Sequence, residues 1–121
     1  MKMKKSPPEL VEFFGRLADG FPKGEQRKLF GYPCLFVKGN MTSGLFQDSL
    51  FLRLSEKDRE TFLKQKGSTV FAPMQGRPMR EYVVAPPALL KSPAKLMVWL
   101  NKSVAYAETL PTKKKKPSEN S

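Results

Sequence analysis

Histidine is absent from this chain and cysteine occurs once, at Cys34. Without an imidazole there is no base for a Ser-His or Cys-His nucleophile, and a single thiol cannot build a disulfide framework or a cysteine-based zinc cluster. No run of about 18 apolar residues is present to cross a bilayer, so no membrane partner is expected. The basic N-terminus is followed by Ser6-Pro7-Pro8 rather than by an apolar segment, which argues against a secretory leader. The cytoplasm is the expected address, where a lone thiol stays reduced. Acidic charge is also scarce, with 11 Asp and Glu against 22 Lys and Arg. No internal repeat and no glycine-rich phosphate loop is visible.

What remains is enough for one core. Hydrophobic residues make up 40% of the 121 residues and include nine Phe and one Trp, so a single domain without staples is expected. Net charge is +11, but residues 6–110 carry only +5 of it. The expected division is a disordered basic N-terminus over 1–5, a folded domain over 6–110, and a disordered Lys-rich tail over 111–121.

Ser6-Pro7-Pro8-Glu9 reads as a helix start, with Ser6 as cap, Pro7 at the first helical position and Glu9 completing a capping box. Leu10, Phe13, Phe14 and Leu17 then mark one apolar face of a helix over about 7–19. From Lys28 to Lys38 the pattern alternates, placing Phe30, Tyr32, Cys34 and Phe36 on one side of a single strand. Leu35 and Val37 take the other side, and Pro33 suggests an edge or a bulge. Turns at Gly39-Asn40 and Asp48-Ser49 separate this strand from Met41–Gln47 and Leu50–Leu54, which makes a three-stranded meander.

Ser55 with Asp58 resembles a second cap, opening a helix over Glu56–Lys66 that Gly67 stops. Thr69–Ala72 and Met79–Val84 read as strands around a loop at Pro73–Pro78, and Ser92-Pro93 opens a last helix. Leu96, Trp99, Leu100, Ser103 and Ala107 line one face of that helix. The expected fold is therefore α+β and two-layered. About five mostly antiparallel strands carry helices on one face, in the order α-β-β-β-α-β-β-α.

Several short runs carry a family resemblance across about residues 26–110. They are Leu29-Phe30-Gly31-Tyr32, Gly39-Asn40-Met41, Gly44-Leu45-Phe46-Gln47-Asp48 and Leu52-Arg53-Leu54, followed by Phe71-Ala72-Pro73-Met74 and Gly76-Arg77-Pro78-Met79-Arg80-Glu81-Tyr82. In order and spacing they resemble the N-terminal domain of the TfoX/Sxy proteins, which are linked with regulation of natural competence in bacteria. The resemblance implies a two-layer α/β fold and a non-enzymatic regulatory or interaction role. Residues 111–121 do not suffice for the C-terminal helical domain that the competence regulators carry.

Candidate binding residues follow from charge. Arg77 and Arg80 flank a Gly-Pro turn and can hold a phosphate or a partner's carboxylate, unless Arg80 simply pairs with Glu81. Arg53 stands inside an apolar strand, where it needs a solvent-facing side or a partner. Phe51 and Tyr82 beside these arginines are arranged as in sheets that stack bases, although core packing is the plainer explanation. Lys113, Lys114, Lys115 and Lys116 can bind phosphates without sequence preference or act only as a solubilising tail. Cys34, without a histidine, reads as buried packing. Asp48, Glu56, Asp58 and Glu60 fit a turn and a solvated helix face, not a metal site. No cofactor is expected. Another protein is the expected partner, with nonspecific nucleic acid as the alternative, and both a monomer and a homodimer remain open.

Overall fold

A proline pair sets where the first helix begins. In the computed structural model, which describes residues 5–74 and 77–112, α1 runs from Pro8 to Ala18 with Pro7 as its cap residue and no side-chain cap bond. The expected Ser6 cap fails because a residue that precedes proline is pushed out of the α region. Pro7, which precedes Pro8, is accordingly extended at φ −57° and ψ 139°. The anticipated apolar face survives the shift. Phe14 and Leu17 are buried, and Leu10 and Phe13 pack against the same core.

Six strands follow rather than five. They are β1 (Glu25–Leu29), β2 (Tyr32–Val37), β3 (Asn40–Phe46), β4 (Ser49–Arg53), β5 (Thr69–Met74) and β6 (Arg77–Val84), in the sheet order β1-β2-β3-β4-β6-β5 with every neighbour antiparallel. The single strand expected over Lys28–Lys38 is in fact a hairpin. Phe30 (φ 53°) and Gly31 (φ 85°) form a two-residue turn between Leu29 and Tyr32, the geometry that matches strand twist and needs positive φ at both positions. The next two turns fall one residue earlier than expected, at Lys38-Gly39 and Gln47-Asp48, again opening on a positive φ (54° and 55°). Pro33 lies on neither an edge strand nor a bulge: β2 sits between β1 and β3. The lost N–H is tolerated because pairing with β3 begins only at Cys34.

The helical elements after the meander are α2 (Glu56–Phe62), α3 (Pro87–Leu90) and α4 (Pro93–Glu108). Ser55 caps α2 as expected, accepting a hydrogen bond from the Asp58 amide at 3.3 Å. The helix ends at Phe62 instead of Lys66 because other donors reach the Phe62 carbonyl, among them the Gln65 amide and the Ser68 hydroxyl. The single turn α3 opens on a second proline pair, with Pro86 as its cap residue and Pro87 at its first position. The hairpin β5–β6 extends into the supposed loop 73–78, leaving residues 75 and 76 outside the described part. Expectations for residues 1–4 and 113–121 lie outside it as well.

The helices share one face of the sheet. Phe14 and Leu17 of α1 and Leu96 and Leu100 of α4 meet Leu35, Leu50, Leu52 and Val83 in one buried cluster, the two-layer solution for an amphipathic sheet. Within it Phe62 meets the ring of Trp99 edge-on at 5.0 Å. Helix α4 is also anchored by a polar contact. A bulge opposite Leu35/Phe36 leaves Thr42 unpaired in the ladder, and its carbonyl accepts the buried Ser103 hydroxyl at 2.8 Å.

The opposite face covers itself with aromatic rings. Tyr32 meets Phe46 at 5.3 Å, Phe46 meets Phe71 at 5.7 Å, Phe71 stacks on Phe51 at 4.3 Å, and Phe51 meets Tyr82 at 5.8 Å. This chain of rings spans five strands and buries Cys34, Phe51 and Phe71 almost completely. Gly44 is what lets it close. A Cβ there would stand 2.6 Å from the Cys34 sulfur and 2.9 Å from the Phe51 ring.

Candidate functional site

The candidate arginines separate in the fold. Arg53 ends β4 opposite Tyr82 of β6. Its Nε donates to Glu81 Oε1 at 2.6 Å and a second guanidinium nitrogen also contacts that oxygen. The guanidinium lies 5.7 Å from the centres of both the Tyr82 and Tyr106 rings. This is the partner that a charge in an apolar strand needs, with cation–π contact on two sides. Glu81 is thus engaged by Arg53, whereas Arg80 is exposed and contributes its carbonyl to an Arg59 Nη1 bond of 3.2 Å. Arg77 opens β6 opposite Met74. Arg80 lies within β6, where a strand was expected from Met79, and Arg77 is the first residue of that strand. Lys113, Lys114, Lys115 and Lys116 lie outside the described residues.

The remaining chemistry of the aromatic face is muted by burial. The Cys34 thiol donates to the Tyr32 carbonyl at 3.7 Å, and desolvation pushes it up to about 11, so it is protonated at neutral pH and a poor nucleophile. Desolvation also raises the Tyr82 phenol, partly offset by the Arg53 charge, and its hydroxyl donates to the Met41 carbonyl at 3.2 Å. Phe51 is only 3% exposed, so its ring has no face to offer a base.

A different site emerges where α1 meets the first hairpin. A cleft of about 380 Å³ is walled by Val11 of α1, by Pro33 and Tyr32 of β2, and by Phe30 at the hairpin tip, with Lys5 and Lys28 on its rim. Phe30 is 81% exposed, the most exposed of the large apolar side chains among the described residues, and Val11 is 38% exposed. Among the described residues no acidic side chain lines the cleft, and neither lysine has a carboxylate partner. An apolar wall with a cationic rim suits a ligand group that is apolar at one end and anionic at the other.

Sequence reasoning missed this site because it placed Phe30 within a single strand, on one side with Tyr32, Cys34 and Phe36. The available signal was Gly31, which after Phe30 completes a two-residue hairpin turn. Val11 and Lys5 gave no signal at all, since only the packing of α1 against β2 brings them to the hairpin.

Among known families, the one described as TfoX N-terminal domain matches residues 16–107. The match takes in the whole hairpin and leaves Lys5 and Val11 outside it. No curated protein matches the chain.

Proposed function

This chain belongs to the TfoX N-terminal domain family, and from that premise we propose that it is a non-enzymatic regulatory module that docks a partner protein through the tip of its first hairpin. The observation that carries the proposal is Phe30. A bulky aromatic residue occupies a left-handed position, φ 53°, where asparagine or glycine would form the same turn with less strain. Burial does not compensate, because the ring is 81% exposed. A residue that serves neither the turn nor the core is the mark of a contact surface, where exposed aromatic side chains supply much of the binding energy.

Other features support the same reading. The side chains best suited to chemistry are used internally: Cys34 within the aromatic layer and Arg53 by Glu81. Arg53 accordingly lends little to the nucleic-acid alternative, for which basicity remains the main argument. The test is quantitative capture from an extract of the source cells by the wild type and by Phe30→Asn, a change that keeps the turn. A set of proteins retained by the wild type and lost with the variant is expected. Identical retention by both would refute the reading.

A further inference from the structure

We infer that the partner's docking segment is an extended, acidic stretch of polypeptide carrying one apolar side chain, added as a strand to the outer edge of β1; the inference rests on the interaction reading above. β1 comes first in the sheet order, and no strand among the described residues pairs with its outer side. Four of its five residues are exposed. An open edge of this kind offers a row of main-chain donors and acceptors to an incoming strand. The other edge, β5, carries Pro73, which removes one donor and makes it the poorer template.

The chemistry of the edge selects the occupant. Arg27 and Lys28 lie on β1, and Lys28 reaches the rim of the cleft together with Lys5. The single acid of the strand, Glu25, accepts from Arg27 at 2.8 Å. Two copies pairing edge to edge in antiparallel fashion about Arg27 would bring Arg27 against Arg27, so like charge works against a second copy in that register. A strand bearing glutamates or aspartates reverses the sign of that term. Its alternate side chains point to one face, so an apolar residue can enter the cleft between Val11 and Phe30 while carboxylates two residues to either side of it, on the same face, meet Lys5 and Lys28. A nucleic acid fits less well. Of the two rings at the cleft, Tyr32 is only 5% exposed, and the other walls, Val11 and Pro33, are aliphatic and provide no stacking platform.

The experiment is a titration of the ¹⁵N-labelled full chain, followed by amide shifts, with three probes. One is a short capped peptide with a central phenylalanine, glutamates two residues to either side of it and threonine at the positions between, another is its lysine-for-glutamate counterpart, and the third is oligothymidylate. The acidic peptide is expected to move the amides of Glu25–Leu29 and Gly31 and to bind at least about tenfold more tightly than the lysine peptide. Phe30→Asn and Lys28→Glu should each weaken it about tenfold, whereas Lys57→Glu on α2 should change little. Unmoved β1 amides at about 1 mM peptide, equal response to both peptides, or shifts with oligothymidylate alone would overturn the inference. If those amides stay still while Phe30-dependent capture persists, the acidic-strand inference fails and the interaction reading stands. If both fail, the interaction reading falls too.

Discussion

Replacing Phe30 with asparagine should make the protein more stable. The left-handed conformation costs an ordinary L-residue about 1–2 kcal/mol, and asparagine far less because its short polar side chain bonds locally. Against that gain stands the burial lost with the ring. Phe30 is 81% exposed, so only about a fifth of a burial worth roughly 2–3 kcal/mol is forfeited, near 0.5 kcal/mol. The net expectation is a gain of about 0.5–1 kcal/mol, raising Tm by roughly 2–6 °C for a domain of this size. Urea denaturation followed by the fluorescence of Trp99, which packs on Phe62 in the core, measures it directly. The midpoint should rise with no change in slope. Phe30→Ala separates strain from packing, since it keeps the strain and removes the ring; it should lie within about 0.5 kcal/mol of the wild type. Lys38→Asn has the same backbone geometry, φ 54°, but loses the bond from Lys38 to the Glu108 carbonyl, so its gain should be smaller. Destabilisation of Phe30→Asn by more than about 1 kcal/mol would refute the reasoning, because it would mean the ring packs against something.

Three further outcomes follow from the aromatic face and its edge. Gly44→Ala should cost about 1–3 kcal/mol, since the added methyl meets Cys34 and Phe51 below 3 Å, and Cys34→Ala in the same chain should recover part of that loss in a double-mutant cycle. Arg53→Ala should lower stability by on the order of 1–2 kcal/mol, and Arg53→Lys should not restore it, because a lysine cannot present a planar group to Tyr82 and Tyr106 while chelating Glu81; urea midpoints decide this. The Cys34 thiol rises from 9.0 to about 11 in the fold, so between those values the unfolded chain has released a proton that the native one keeps. Stability contributed by the neutral thiol is therefore full below pH 9 and declines toward pH 11, by about 2–3 kcal/mol. Burial of Tyr82 acts in the same direction, so Cys34→Ala should reduce the alkaline slope of the urea midpoint without abolishing it.

Much of the fold is legible in the residues. The Ser55 cap, the proline that opens α4 and that helix's buried Leu96, Leu100, Ser103 and Ala107 follow from local rules that packing reinforces. Tyr32, Cys34 and Phe36 do share one face. Phe30 does not join them, because alternating apolar residues can run straight through a two-residue turn without a break in pattern. Nor could composition show that Glu81 would pair with Arg53 in preference to its neighbour Arg80, a choice made by the register of β4 on β6. The cleft was illegible for a similar reason. Its walls come from segments that touch only once α1 packs on β2, and a lone Val11 in a helix or Lys28 in a strand is unremarkable until they share a surface with Phe30.

The central claim is that a partner protein touches the hairpin tip, and photo-crosslinking inside the source cells tests it most directly. A benzoylphenylalanine placed at position 30 reports that contact, and one at Val98 of α4, 54% exposed, serves as the control. The account predicts a discrete protein adduct from position 30 that is absent from position 98 and is suppressed by Lys28→Glu. Adducts of equal yield from both positions, or none from position 30, would contradict it.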